Sequence, residues 1–339
     1  MHGPLRRFVL LLALFPVIAA RAPAGPTEDV YGRGPDSEAH AGVPHGTVTP
    51  WEKLPSLAYP GTLHDFCVYV PAQYDPKVPA CLMIFQDGQA WVNPDGDLRA
   101  TNVFDNLIYR REVPVTVVVF INPGRAPEQP MASSKEWGDH ASNRPQEYNA
   151  LDDKYAHVIV DELLPVLGAR YNLYKDPRDH AIGGASSGAI AAFTVAWHRP
   201  DVFSKVLSTI GSFTNIRGGD AYPDIIRGSE RKPLRVYLLD GLNDNRGVHS
   251  SDPHRTYDPR FDWHAQNIRM LEALRDKGYD VNFCWGIGSH NQKQAGLMLP
   301  EMLRWLWRDY PRTDDPHDAS NRTLLEAAAP TAPAAAPKP

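Results

Sequence analysis

Hydrophobic positions along the chain switch between the period of a strand and the period of a helix. Asp65 to Val70 and Ala80 to Phe85 are short apolar stretches that read as strands. Val115 to Ile121 is a nearly continuous β-branched run, as expected of a strand covered on both faces. His180 to Gly183, Leu234 to Leu239 and Val281 to Trp285 add three more strands. Between and after them, Asn102 to Arg110, Leu151 to Leu167, Ser187 to His198, Trp263 to Lys277 and Met298 to Asp309 read as helices. Pro123 to Pro145, rich in Pro and Arg, reads as a polar loop. Strands alternating with helices of this length predict an α/β chain: a mainly parallel central sheet with helices on both faces.

The two ends break this rhythm. Arg6 and Arg7 precede an apolar stretch, Phe8 to Ala20, that is too short to span a bilayer comfortably. Ala22-Pro23-Ala24 then offers a small-residue cleavage site, with Val17-Ile18-Ala19 as a rival. Residues 1–24 therefore read as a signal peptide and the protein as secreted or periplasmic. An uncleaved anchor is the alternative, because Pro23 would hinder processing. No second long apolar run follows, so no stable membrane span is expected after processing. Residues 25–50, rich in Gly, Pro and acids, read as a linker, and residues 313–339 as a disordered Ala/Pro-rich tail. That leaves 51–312 as one folded domain.

Composition narrows the functional classes. Of 339 residues 42% are hydrophobic, which suffices for one large core. A formal net charge of −5 supplies no basic stripe, so a nucleic-acid partner is not expected. Cys67 and Cys81 lie on strand-like segments that a hairpin near Gln73-Tyr74-Asp75 would set opposite one another. Directly opposed cysteines meet disulfide geometry only with strain, so buried free thiols are expected. Cys284 reads as core filler. His249, His254 and His264 lack metal-ligand spacing, and neither metal nor cofactor is called for.

Gly184-Ala185-Ser186-Ser187-Gly188 matches G-x-S-x-G. Composition alone produces such a match in about one chain in ten of this length, so its setting matters more than the match. It lies between a short apolar strand and an alanine-rich helix, the strand–turn–helix context of a nucleophile elbow in the α/β-hydrolase fold. Small neighbours let strand and helix approach closely around Ser186. The base and its orienting acid should follow in the order Ser, Asp, His. His290, in the turn Gly286-Ile287-Gly288-Ser289-His290, follows the last strand and precedes the last helix. For the acid, Asp244 lies in the turn after Leu234 to Leu239 and is preferred, with Asp240 at the strand end as the alternative. Oxyanion donors are expected from the backbone N–H groups of Ser187 and Gly88, the latter in Gln86-Asp87-Gly88-Gln89 after an early strand. The bland reading of both Gly-containing stretches is an ordinary turn.

These blocks, together with Arg144-Pro145-Gln146-Glu147-Tyr148 and Trp91, resemble the esterase family that groups enterochelin (siderophore trilactone) esterases, feruloyl and acetylxylan esterases and esterase D. The resemblance spans roughly Leu54 to Pro311. It implies ester hydrolysis by Ser186, His290 and Asp244 acting on a small-molecule or carbohydrate ester. Asp-Gly-Gln-x-Trp is similar to the enterochelin branch, whereas feruloyl esterases usually have His-Gly there. The family's second Gly after the elbow is Ala189 here. The resemblance also implies that Arg144 can meet an anionic substrate; its spacing to Glu147 equally suits an ion pair. Trp91, Asn122 and Trp137 lie on loops expected at the carboxyl ends of strands, where this architecture binds ligands, and are candidate substrate walls; tryptophans that merely cap the core are the equal alternative. Acyl or feruloyl esters of sugars are the first substrate expectation and a siderophore trilactone the second. A peptidase would need a gating domain that is not evident. A non-catalytic binding protein on this scaffold is the reading from another class.

Overall fold

In the computed structural model, which describes residues 31–132, 142–248, 254 and 256–310, the alternating stretches assemble around one sheet. The expected signal peptide, the tail from residue 313 and Trp137 lie outside the described residues. In chain order the strands are β1 (Thr47–Val48), β2 (Glu52–Pro55), β3 (Leu63–Val70), β4 (Cys81–Gln86), β5 (Thr116–Ile121), β6 (His180–Ala185), β7 (Lys205–Thr209), β8 (Arg235–Asn243), β9 (Arg246–Val248), β10 (Tyr257–Asp262) and β11 (Asp280–Ser289). The helices are α1 (Gly88–Val92), α2 (Ala100–Tyr109), α3 (Arg144–Tyr148), α4 (Lys154–His157), α5 (Leu164–Gly168), α6 (Ser187–His198), α7 (Tyr222–Gly228), α8 (Trp263–Asp276) and α9 (Lys293–Leu306). A π-helical turn, Val158–Leu163, joins α4 to α5.

The main sheet runs β1-β3-β5-β4-β6-β7-β8-β11, with β2 also paired to β3. From β5 through β11 every pairing is parallel, while β1, β2 and β5 pair antiparallel with β3. Burial on both faces explains the unbroken apolar strands. Along β4 and β5, Leu82, Ile84, Val117 and Val119 face one core, which includes residues of α6, α7 and α8. Met83, Phe85, Val118 and Phe120 face the other, with Val103, Phe104 and Leu107 of α2 and Leu299, Met302 and Leu303 of α9. Every residue of α6 from Ser187 to Trp197 is buried, and its alanines let it lie close on the sheet.

Several expectations change. The hairpin carrying Cys67 and Cys81 does not form, because β5 intervenes between β3 and β4. Cys67, Cys81 and Cys284 are free thiols, and burial pushes the Cys67 thiol up to about 12. β7 and the two-stranded ribbon of β9 and β10 are additional strands. The stretch read as a loop to Pro145 already carries the start of α3 at Arg144. Part of the stretch read as a linker is tied to the domain. Asp36 pairs with Arg110 at 2.7 Å and Arg304 at 2.5 Å, and Asn106 Nδ2 donates to the Asp36 and Glu38 carbonyls. Among the described residues no helix is long and apolar enough to cross a membrane.

Candidate active site

Parallel strands deliver the loops at their carboxyl ends to one edge of the sheet, and the backbone there is strained. Asp87, Ser186 and Ile210, which follow β4, β6 and β7, have φ of 55°, 54° and 44°. Each position costs a non-glycine residue about 1–3 kcal/mol, and such strain concentrates where geometry serves a site. At the elbow the turn is tight enough that a Cβ on Gly184 would run into the Gly188 backbone, and one on Gly188 would stand 2.9 Å from Asp87 Oδ2. The strand, the helix and the Asp87 turn therefore meet around Ser186. At the start of α6 the Ser187 N–H has no carbonyl one turn earlier to bond.

The sequence-predicted triad residues come together at this edge. Ser186 Oγ lies 2.8 Å from His290 Nε2, and His290 Nδ1 lies 2.6 Å from Asp244 Oδ1. Asp244 is buried, whereas the His290 side chain keeps 26% exposure. The last two parallel strands make this possible. Gly241 and Gly288 pack backbone to backbone so closely that a Cβ at Gly241 would strike the Gly288 carbonyl. Gln294 ties the same strand ends, donating to the Asp240 carbonyl and accepting from the Gly288 N–H.

Asp240 is not the residue that touches the imidazole. It accepts from the Gly241 N–H at 2.7 Å and from Asn267 Nδ2 at 2.8 Å. Burial, reinforced by a hydrogen bond to the Asp244 carboxylate, pushes its carboxyl well above the usual range.

The Asp87-Gly88 turn is built from below. Arg144 grips Asp87 in a fork, Nε to Oδ1 at 2.9 Å and Nη2 to Oδ2 at 2.7 Å. Burial works against the Arg144 charge, yet the Asp87 carboxylate raises its pKa further. Gln89 N–H donates to Asn122 Oδ1 at 3.1 Å. A Cβ at Gly88 would strike the Phe120 backbone, so only glycine lets this turn press against β5. Behind Arg144, Glu147 receives His64 Nε2 at 3.0 Å. Burial opposes ionisation of Glu147, but His64, the Gly124 N–H and Asn143 together hold its carboxyl below the usual range.

Two candidate substrate walls are corrected by their surroundings. Trp91 is wholly buried and stacks on Phe85 at 4.0 Å, so it presents no face to a ligand. Asn122 is 2% exposed and braces the Gln89 turn. The Arg144 charge is spent on Asp87, the ion-pair role, although its partner is Asp87 rather than Glu147. Three residues that periodicity did not single out also lie at the site. Ser212 Oγ is 3.0 Å from Ser186 Oγ, Trp263 packs edge-on against His290 with ring centroids 5.3 Å apart, and Asn267 bridges Asp240 to the Gly211 carbonyl. The Trp263 N–H donor and its place at the start of a helix beside the acid turn were the only signals available. A groove lined by Tyr74, Leu82, Tyr171 and His180 lies at the opposite, amino end of the strands. No group of three or more acidic, His or Cys side chains suited to a metal occurs among the described residues.

The family model described as Putative esterase matches residues 59–214, a stretch that contains Asp87, Arg144 and Ser186 and ends before Asp244 and His290. The esterase-family resemblance holds. An uncharacterized protein of Bacillus subtilis (strain 168), YbbA, is 20% identical over 250 residues, covering 71% of this chain and 92% of that protein. Among solved structures, an enterobactin esterase from Shigella flexneri, with 2,3-dihydroxy-N-benzoyl-glycine present, superposes with a TM-score of 0.58 at 18% identity. The match covers 78% of this chain and 61% of that one, so the chain spans about three fifths of the enterobactin esterase's length. A CE1 ferulic acid esterase from Anaeromyces mucronatus superposes with a TM-score of 0.59 at 16% identity, over 81% of this chain and 96% of that one. At these identities the structures establish the fold: a mainly parallel sheet with helices, as in α/β-hydrolase esterases. The esterase-family match supports ester hydrolysis as the class of reaction.

Proposed function

We propose that the chain is an exported serine esterase, with residues 51–312 as its catalytic domain and 1–24 as a cleaved signal peptide. The observation that carries the reading is the continuous hydrogen-bonded line from Ser186 through His290 to buried Asp244. In this mechanism His290 Nε2 takes the Ser186 proton as Oγ attacks the ester carbonyl. The oxyanion accepts from the backbone N–H groups of Ser187 and Gly88, fixed dipoles that need no reorganisation. His290 then gives its proton to the leaving alcohol. Water, deprotonated by His290, releases the acid and restores Ser186. Asp244 holds the imidazole tautomer and stabilises its cation.

An acylated or feruloylated sugar is the substrate class the site supports best. Such an ester brings no anionic catechol, and Arg144, the candidate anion receptor, is already neutralised by Asp87. The experiment is hydrolysis of a short-chain aryl ester and labelling by a fluorophosphonate, with wild type beside Ser186→Ala. Wild type should turn over and label. The variant should lose on the order of 10⁶-fold in kcat and all labelling. Equal rates would reject the assignment, and absence of both activities in wild type would favour a non-catalytic binding protein. A panel of feruloyl, acetyl-sugar and catecholate esters then ranks substrates. Mass spectrometry of the secreted chain should find an N-terminus just after Ala19 or Ala24.

A further inference from the structure

Beyond the triad, one hydroxyl touches the nucleophile. Ser212 Oγ is 3.0 Å from Ser186 Oγ, and Trp263 Nε1 is 3.2 Å from the same Ser212 oxygen. Ser212 is 1% exposed, so bulk water does not reach it. Its backbone is anchored as well: the Ser212 N–H donates to the Ser186 carbonyl at 3.1 Å, and Asn267 Nδ2 donates to the Gly211 carbonyl at 2.9 Å.

Donor counting sets the direction of each bond. An indole N–H only donates, so Ser212 Oγ accepts from Trp263. A neutral His290 whose Nδ1–H faces Asp244 presents Nε2 as an acceptor, so the Ser186 proton points to His290. The Ser212 proton is the one left for the 3.0 Å contact, and it points at Ser186 Oγ.

We propose that Trp263 and Ser212 form a donor relay that holds one hydrogen bond on the Ser186 oxygen through the whole acyl-transfer cycle. Ser212 is a catalytic donor to the reacting atom, and Trp263 is the positioning residue behind it. The proposal rests on the serine esterase reading above. In acylation the Ser186 proton moves to His290 while an Oγ lone pair bonds the carbonyl carbon. The Ser212 proton stays on Ser212 and stabilises charge on Oγ during that transfer. The bond from the carbonyl carbon to the alcohol oxygen then breaks, and the departing alcohol takes the proton from His290, leaving the imidazole neutral. In deacylation water gives its proton to His290 and bonds the acyl carbon. The carbon–Oγ bond then breaks with its electron pair going to Oγ, which takes the proton back from His290. Ser212 donates to Oγ again as it leaves. Trp263 also packs its ring on His290, an independent contact that Trp263→Phe keeps while removing the N–H.

The test uses the full chain and p-nitrophenyl acetate, with steady-state and burst kinetics and fluorophosphonate labelling. The variants are Ser212→Ala, Ser212→Thr, Trp263→Phe and the double Ser212→Ala/Trp263→Phe. Ser212→Ala should lower kcat and the labelling rate about tenfold with KM little changed. Ser212→Thr keeps the hydroxyl and should recover most of that loss. Trp263→Phe should cost about threefold, and the double variant should match Ser212→Ala, because Trp263 acts through Ser212. Wild-type kinetics in Ser212→Ala, or losses that simply multiply in the double variant, would overturn the relay. Ser186→Ala run alongside separates the two ideas. A wild type that is active, Ser186-dependent and indifferent to Ser212 sinks the relay alone. A wild type that neither hydrolyses nor labels sinks both.

Discussion

Asp240 lies within β8 and Asp244 just beyond its end, and only the second reaches the imidazole. Asp244 faces the imidazole, its Oδ1 2.6 Å from His290 Nδ1. Burial, with Asp244 close by, pushes the Asp240 carboxyl well above the usual range. Its folded pKa lies above its unfolded one, so the bound proton stabilises the fold fully below the unfolded value near 3.8. That contribution is lost as pH rises towards and through the folded value. Asp240→Asn has no proton to lose there. Calorimetric Tm should therefore fall less steeply for this variant than for wild type from mildly acidic to mildly alkaline pH. Parallel Tm curves would reject the assignment of a neutral Asp240. Sequence left both aspartates open because each stands beside Gly or Asn after one strand; only the bond to His290 Nδ1 separates them. Trp91 was misread for a similar reason. Its loop position follows from chain order, but its burial follows from the ring of Phe85, which no local pattern reveals.

Strand ends and their turns act as units, and two of them control the site. The close contact of Gly241 with Gly288 brings the acid turn after β8 alongside the histidine turn after β11. Gly241→Ala should push these ends apart, costing about 1–3 kcal/mol in urea denaturation and lowering kcat more than it raises KM. Unchanged kcat would show that the approach does not position the triad. The turn between β4 and α1 depends on Arg144 in the same way. Arg144→Met leaves the buried Asp87 carboxylate unpaired, which should cost about 3–5 kcal/mol and slow acylation; denaturation and burst kinetics measure each effect. Most of these elements were legible because both faces of their strands are buried, giving the unbroken runs of β4 and β5. β7 escaped because Lys205 and two hydroxyl residues leave only Val206 and Leu207 as strong apolar signals. The β9–β10 ribbon escaped because the exposed positions of β10 are Tyr257, Pro259 and Arg260, with no run of buried apolar positions.

For the whole molecule, parallel strands at the centre were predictable from the alternation of strands and helices, while the order that seats β5 between β3 and β4 was not. That order is what keeps Cys67 and Cys81 on separate strands with another between them. Both are buried, and the Cys67 thiol, pushed up to about 12, forms essentially no thiolate at neutral pH. Burial also raises the Cys284 thiol. Thiol alkylation by iodoacetamide should be slow on the native chain and rapid in denaturant, and fast labelling of native protein would contradict the packing. No structural disulfide waits to form or break, so the proposed ester hydrolysis by the native chain should read alike in dithiothreitol and in oxidised glutathione. Once folded, the proposed activity is thereby insulated from the redox poise of whatever compartment receives the chain.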